Sequence, residues 1–349
     1  LHVPDAAFLA GGDLDFAGDA LAGIRNLGTI TATTGDVILA ARTVENAGTL
    51  RAPQGAVGLA AGNEVLYRPA GAARLFVKSA LALPEQTDGV THTGLIAAAQ
   101  AELRAAGGNV YALAVNTGGA IHATGVSERD GRVLLTSAGG AITTAGVITA
   151  RRSTGDGGEI RLQAEGGGPA TISVGGTLDA AGAAPGAKGG EITATGETAT
   201  LTDTARLDVS GDAGGGLVRI GGDYQGKNPD VHNAAMTTVA PGAEIRAEAL
   251  TRGDGGRVIV WAEDATRFLG RIWARGGSLF GDGGFAEVSG HRLSYDGLTD
   301  LRAPHGRWGT LLLDPFEWVI SDKYDDGGGA VSYRNTDKLS DDLELGNVE

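Results

Sequence analysis

A glycine-rich stretch that repeats one short pattern decides the fold of this chain. The stretch covers residues 245–315 and reads IRAEALTRGDGGRVIVWAEDATRFLGRIWARGGSLFGDGGFAEVSGHRLSYDGLTDLRAPHGRWGTLLLDP. Within it, Gly253–Gly256 precedes the aliphatic run Val258–Val260, and Gly281–Gly284 precedes Phe285–Val288. Each glycine cluster carries one aspartate. Short runs bounded by glycine are typical of β-strands of about three to five residues joined by tight turns. The stretch therefore predicts a β-solenoid.

Nearer the N-terminus the same alternation has a period that can be counted. Asn26–Ala32 (NLGTITA) returns as Asn46–Ala52 (NAGTLRA), and Gly35–Ala41 (GDVILAA) returns as Gly55–Ala61 (GAVGLAA), both after 20 residues. Two motifs that share one period indicate stacked supersecondary units. Each unit holds two alternating runs, which place every second side chain inward. The predicted fold is all-β, a parallel β-helix in which each repeat forms one coil.

The rhythm divides the chain into segments. Residues 1–66 are predicted to form β-helix coils, and residues 107–320 a second β-helix with glycine-rich corners. In the second segment the rhythm resumes, and Gly118–Ile121 returns 21 residues later as Gly139–Ile142.

Two segments depart from the rhythm. Residues 67–106 are predicted to form an irregular excursion with a candidate short helix, because Ile96–Ala106 (IAAAQAELRAA) is rich in helix-forming residues. The alternative is that pairing with neighbouring coils draws the same residues into a strand. Residues 321–349 are acidic and glycine-rich and are predicted to be an exit segment. We expect the chain to be an interior piece of a longer protein, truncated at this end.

Composition narrows the class of protein. The chain has 349 residues, of which 60 are glycine and none is cysteine, and its formal net charge is −14. Glycine without a three-residue period excludes collagen. An acidic chain without a basic patch disfavours nucleic-acid binding. The sequence contains no run of about 18 apolar residues, so it predicts no transmembrane segment.

Five blocks of sequence resemble large bacterial exoproteins of the filamentous haemagglutinin type. They are Ala101–Ala114 (AELRAAGGNVYALA), Ile220–Gly226 (IGGDYQG), Gly253–Ala262 (GDGGRVIVWA), Ile272–Gly277 (IWARGG) and Gly309–Pro315 (GTLLLDP). The resemblance covers nearly the whole chain up to about residue 320, and these longer blocks are more specific than the bare glycine repeats.

The resemblance implies a right-handed parallel β-helix that an outer-membrane partner transporter exports from a Gram-negative bacterium, the process called two-partner secretion. It implies a secreted or cell-surface protein that acts in adhesion, aggregation or biofilm formation on host or bacterial surface glycans or proteins. Residues 1–66 resemble the last coils of the family's secretion domain. The recognition step for export is therefore expected upstream of Leu1.

The function predicted is that of a non-enzymatic adhesive or stalk-forming rod. The alternative is a polysaccharide lyase or hydrolase, since parallel β-helices also carry such enzymes. Asp179 and Asp208, with Arg206 and Arg219 nearby, are the candidate catalytic residues because the two aspartates hold equivalent places in their coils. Solvated surface charges are the other interpretation of this pair.

Aromatic residues late in the chain are candidate ligand contacts. Trp261, Trp273, Trp308 and Tyr224 could stack on sugar rings, or they could cover the core where coils change size. The Gly-Asp-Gly-Gly corners could bind calcium. However, turn formation alone explains an Asp-Gly corner, so no cofactor is predicted.

Overall fold

The structure is a computed structural model. It describes residues 1–69, 75–78, 88–106, 109–113, 120–124, 131–166, 170–316, 318–321, 332–335 and 347–348. It forms two compact units. The first consists of Leu1–Ser153 with Ile160–Ile172, and the second of Thr154–Glu159 with Ser173–Glu349. The described residues include one α-helix, α1 (Asp5–Ala10), and one 3-10 turn (Tyr224–Gly226).

All other regular structure in the described part of the chain is β-strand. Up to residue 165 the strands are β1 (Leu14–Ala17), β2 (Ile24–Asn26), β3 (Thr29–Thr31), β4 (Val37–Ala41), β5 (Val44–Asn46), β6 (Thr49–Ala61), β7 (Glu64–Tyr67), β8 (Leu75–Lys78), β9 (Asp88–His92), β10 (Leu95–Ala106), β11 (Asn109–Leu113), β12 (Ala120–Thr124), β13 (Arg132–Ala138), β14 (Ile142–Ala145), β15 (Val147–Arg151) and β16 (Glu159–Glu165).

From residue 171 onward the strands are β17 (Thr171–Val174), β18 (Thr177–Asp179), β19 (Glu191–Thr195), β20 (Thr198–Leu201), β21 (Arg206–Asp208), β22 (Leu217–Ile220), β23 (Met236–Val239), β24 (Glu244–Arg246), β25 (Arg257–Phe268), β26 (Arg271–Trp273), β27 (Phe285–Tyr295), β28 (Leu298–Asp300), β29 (Thr310–Asp314), β30 (Trp318–Ser321), β31 (Ser332–Asn335) and β32 (Asn347–Val348).

In the first unit the sequence repeat is the strand register. Strands β3 and β6 pair in parallel with Thr29 opposite Thr49. Strands β4 and β6 pair with Val37 opposite Val57. In both pairs the separation along the chain equals the period of the repeated motifs. The parallel β-helix is therefore confirmed, with one coil for each repeat.

The second unit has the same architecture with longer coils. Strand β25 pairs in parallel with β27, from Arg257 opposite Phe285 to Phe268 opposite Tyr295. Each coil has three sides, here β22, β23 and β24, whereas the sequence pattern predicted two runs in each unit. In the repeat from which two runs were predicted, the third side is formed by the short strands β2 and β5. In β25 one continuous strand supplies two sides, with a register shift between Ala262 and Ala265.

The candidate helix at residues 96–106 is wrong. These residues belong to β10, which pairs in parallel with β6 from Leu95 opposite Thr49 to Ala105 opposite Ala61. The side chains of Ile96, Ala101 and Leu103 are fully buried. Pairing with β6 on one side and with β12 and β13 on the other overrides the helix propensity of an alanine-rich sequence. The rest of the predicted excursion includes β8 and β9, and residues 70–74 and 79–87 lie outside the described part of the chain.

Strand pairing differs from the sequence expectation at two further places. The return of Gly118–Ile121 at Gly139–Ile142 is not the strand register, because Ile121 pairs with Ile148 rather than with Ile142. In the predicted exit segment, β31 pairs with β30 and β32 pairs with β29, so these strands continue the sheet. Residues 322–331 and 336–346 lie outside the described residues.

An antiparallel sheet that the sequence did not predict packs against the first coils. Strands β1, β7 and β8 pair antiparallel, and Leu75 and Val65 form a cluster with Ala60, Ile38 and Phe16. The buried carboxylate of Glu102 on β10 accepts a hydrogen bond from the backbone N–H of Leu75 at 3.0 Å. The sheet thus covers an outward face of the first unit's coils.

A ladder of polar side chains runs through the same unit. The amide of Asn26 donates to Asn46 Oδ1 at 2.7 Å, and Asn46 Nδ2 lies 3.0 Å from His92 Nδ1. These three residues are in register on β2, β5 and β9. Burial lowers the pKa of His92 to about 4, and hydrogen bonds with the backbone of Ala120 and Asn46 offset only part of that effect.

Because His92 is buried in its neutral form, we expect the stability of the first unit to be sensitive to acid. Between pH 6.5 and about 4 the unfolded chain binds a proton at His92 and the folded chain does not, so stability falls as the pH is lowered through this window. The loss is on the order of 3 kcal/mol and is complete below about pH 4. We expect His92→Asn, which continues the asparagine ladder, to flatten this part of the stability profile. Urea unfolding of both proteins between pH 7 and 4 measures the difference, and parallel profiles would contradict the assignment.

Candidate functional site

The aspartates of the glycine-rich corners bind backbone N–H groups of the next coil. Asp254 Oδ1 accepts a hydrogen bond from Asp282 N at 2.7 Å, and Asp282 Oδ1 accepts one from Arg307 N at 2.9 Å. Asp156 does the same for Lys188 N at 2.8 Å. Each acceptor and its donor hold equivalent places in neighbouring coils. This geometry supports the interpretation that these aspartates stabilise the turns at the corners of the coils.

The glycines beside these aspartates allow neighbouring backbones to approach closely. A Cβ atom built on Gly255 would lie 2.0 Å from Ala274 O, and one on Gly283 would lie 1.8 Å from Leu301 O. Real Cβ atoms essentially never come within 3.0 Å of a non-bonded heavy atom. The repeated glycine pairs are therefore a steric requirement of the corner.

The candidate catalytic aspartates are neighbours in one ladder. Asp179 on β18 lies opposite Asp208 on β21, as their equivalent positions predicted. Asp179 Oδ1 accepts from Ala181 N at 3.0 Å, and Asp208 Oδ1 accepts from Ser210 N at 2.8 Å. Each carboxylate closes the turn that follows its own strand. This local role accounts for both residues without catalysis.

Two of the aromatic candidates belong to the 221–235 loop and the strand beneath it. Tyr224 lies on the loop with 39% of its surface exposed. Trp261 lies on β25, and a Cβ atom on Gly226 would be 2.4 Å from its ring. The loop therefore covers Trp261 and leaves Tyr224 accessible.

Tyr224 belongs to a small aromatic and cationic cluster. Its ring meets Phe285 edge-on, with centroids 5.9 Å apart. The guanidinium of Arg257 lies 4.7 Å from the Tyr224 centroid and 4.8 Å from that of Phe285. Tyr224, Arg257 and Lys227 border a cavity of about 440 Å³ whose other lining residues include Arg219 and Asp223.

Two carboxylates fasten this loop. Glu287 on β27 accepts from Gln225 N at 3.1 Å, and its burial raises its pKa. Burial alone would raise the pKa of Asp223, but hydrogen bonds from Asn228 and Tyr224 N and the charge of Arg219 outweigh it and hold that pKa below its usual range. Both contacts fix the loop on the outward face of β25.

Trp273 and Trp308 lie apart from that loop. Arg246 stacks on Trp273, with its guanidinium carbon 4.8 Å from the ring centroid. Trp308 is 44% exposed and lines a groove of about 510 Å³. The four aromatic candidates therefore do not form one cluster.

The groove also brings together residues that were not candidates from the sequence. Arg275 Nε donates to the buried carboxylate of Glu248, and Arg302 donates to Asp300 from Nε at 3.0 Å and from a terminal nitrogen at 2.8 Å. The sequence signal was the recurrence of arginine two residues after the strand ends at Trp273 and Asp300. It was missed because arginine on an outward position is most often a solvated charge.

The described residues contain no group of three or more histidines, aspartates or glutamates placed to hold a metal ion. None of the helices in this part of the chain is long and apolar enough to span a membrane.

Comparison with known proteins finds a similar fold among solved structures. No protein-family model matches the sequence, and no curated protein matches it. Among solved structures, the chain is similar to the crystal structure of the HMW1 secretion domain from Haemophilus influenzae, with a TM-score of 0.57 and 25% sequence identity. The match covers 90% of this chain and 73% of that chain. This chain has the fold of a secretion domain.

This match confirms the parallel β-helix that the sequence predicted and the resemblance of the chain to exoproteins of two-partner secretion. The part of the chain that resembles a secretion domain is larger in the structure than in the sequence. In the sequence only residues 1–66 resembled the end of a secretion domain, whereas the structural match extends over 90% of the chain.

Proposed function

We propose that this chain is a secretion domain of a large exoprotein, exported from a Gram-negative bacterium through an outer-membrane partner transporter. The observation that carries this proposal is the similarity to the HMW1 secretion domain over 90% of the chain. The family resemblance of the sequence blocks supports the same partner and a secreted or cell-surface location.

The proposed role is not enzymatic. The candidate pair Asp179 and Asp208 supports this, because both carboxylates accept hydrogen bonds from the turns that follow their strands. A glycosidase instead needs two carboxyl groups that face a substrate in one groove. We therefore do not favour the lyase or hydrolase alternative.

An adhesive or stalk-forming role is the second candidate. It is favoured by one specific observation, the exposed indole of Trp308 beside a groove that also contains two arginines. The covered position of Trp261 favours a purely structural role for that residue. Export and adhesion are compatible, since an exported coil can also present a binding surface.

A trapped complex tests the export proposal. The chain is expressed ahead of a disulfide-bonded domain that cannot thread through a pore, in cells that carry the affinity-tagged partner transporter. We expect the chain to co-purify with the transporter, whereas a periplasmic β-helix enzyme with the same fused domain should not. Failure of the chain to co-purify, when the transporter still retains its natural exoprotein, would contradict the proposal.

A further inference from the structure

The groove beside Trp308 is lined by both apolar and charged side chains. Its apolar side chains include those of Trp308, Leu250 and Pro304, and its charged ones are those of Arg275, Arg302 and Glu248. Its volume of about 510 Å³ falls within the roughly 300–1,000 Å³ of small-molecule sites. One or two sugar rings are of this size.

Arg275 is held in place by one hydrogen bond and keeps other N–H donors for a ligand. Its Nε donates to Glu248, whose side chain is only 6% exposed and also lies 3.7 Å from Arg246. A guanidinium carries five N–H donors. Within the described residues, the two terminal nitrogens of Arg275 have no hydrogen-bond partner, and its side chain is 47% exposed. The buried glutamate thus orients a guanidinium whose outer edge matches a bidentate oxyanion.

Trp308 departs from the corner pattern of its unit. Arg307 N binds Asp282 as Asp282 N binds Asp254, so Trp308 follows at the place that Gly283 and Gly255 fill in the preceding coils. Glycine at this corner is a steric requirement in those coils, yet here the corner carries the largest side chain. With 44% of its surface exposed, the indole adds an accessible flat face beside the groove.

We propose that this groove binds a sugar that carries a carboxylate or sulfate group. The sugar ring stacks on Trp308, and the oxyanion takes two hydrogen bonds from the terminal nitrogens of Arg275. Arg302, held by Asp300, lines the same groove and adds positive charge. This binding activity goes beyond export and does not depend on it.

Ligand-observed NMR on the full chain tests the proposal. The probes are an oligogalacturonide, a sulfated galactan oligosaccharide and the neutral galacto-oligosaccharide of equal length. We expect saturation transfer to one or both acidic probes and none to the neutral one. The two acidic probes distinguish a carboxylate from a sulfate as the recognised group. Binding should weaken as salt is raised, because the oxyanion contact is electrostatic.

Matched variants locate the site. We expect Trp308→Ala and Arg275→Gln to weaken binding roughly tenfold or more, since a hydrogen bond to a charged group contributes about 1.5–3 kcal/mol. Arg275→Lys, which keeps the charge but loses the planar fork, should give an intermediate loss. Leu279→Ala is the control for Trp308→Ala and Arg271→Gln the control for Arg275→Gln, because each removes an exposed apolar or arginine side chain outside the groove. Both control variants should bind as the parent does.

Three results would overturn the proposal. They are no transfer to any acidic probe at millimolar concentration, equal transfer to the neutral probe, and unchanged binding in both Trp308→Ala and Arg275→Gln. A loss in Leu279→Ala as large as that in Trp308→Ala would also overturn it, because the exposed apolar patch of Leu279 and Phe280 would then bind the ligand. None of these outcomes bears on export, which is measured separately.

Discussion

The Val258→Asp variant is expected not to form a cooperatively folded second unit. Val258 lies on β25 between Val218 and Ala286, and its side chain is fully buried in the inward ladder. An unpaired carboxylate at this place must be desolvated or protonated, which costs roughly 4 kcal/mol or more. Because each coil contacts only its neighbours, the damage should spread to the coils on both sides.

Circular dichroism and thermal unfolding measure the effect of Val258→Asp. Met236→Asp is the matched control, because Met236 begins a strand of the same unit and is 50% exposed. We expect the control to keep the parent melting temperature to within a few degrees. A cooperative transition of unchanged midpoint in Val258→Asp would refute the inward orientation.

The neighbouring residue shows that burial does not follow from alternation alone. As alternation predicts, only Val258 of the pair points inward, yet the side chains of both Val258 and Ile259 are fully buried. Ile259 lies on the outward face beside Glu287, and the 221–235 loop covers that face. Ile259→Asp should therefore also destabilise the unit, by displacing the loop.

Replacement of a corner glycine is expected to have the second large effect. In Gly255→Ala the new Cβ atom would lie 2.0 Å from Ala274 O and 2.6 Å from Gly284 N. The backbone must move, and the 2.7 Å hydrogen bond from Gly284 N to Ala274 O is lost or stretched. By analogy with overpacked cores, we expect a loss of about 3 kcal/mol, measured by urea unfolding.

Two glycines of the first unit provide a control for the effect of close backbone approach. Gly28 and Gly48 occupy equivalent places in successive coils of the first unit, but a Cβ atom on Gly28 has no atom within 4 Å, whereas one on Gly48 would lie 2.1 Å from Gly28 O. Gly28→Ala should be neutral or slightly stabilising, and Gly48→Ala should be destabilising. Equal effects in the two variants would show that close approach is not what selects glycine.

The fold could be predicted from the sequence because its determinants are local and repeated. The return of Asn26 at Asn46 and of Val37 at Val57 is the strand register itself. Strand β10 was harder to predict, because the partners that extend it lie on other coils, β6 before it in the chain and β12 and β13 after it. A helix propensity read from Ile96–Ala106 alone contains no information about those partners.

The candidate site was less predictable for a related reason. The aromatic residues could be found in the sequence, but their exposure depends on loops from other coils, as the cover of Trp261 by Gly226 shows. Arg275 acquires its orientation from Glu248, which lies on the preceding coil. Such pairs become visible only when the coil length at that position is known, and coil lengths in the second unit vary.

Transporter-dependent appearance of the chain outside the cell tests the central claim most directly. The full chain is directed to the periplasm of a Gram-negative host, with or without the partner transporter, and is quantified in the medium and at the cell surface. We predict that the chain reaches the outside of the cell only when the transporter is functional. Resistance to protease should then show that the exported chain is folded. Retention of the chain in the periplasm, while the same transporter exports its natural exoprotein, would contradict the account, as would equal release without any transporter.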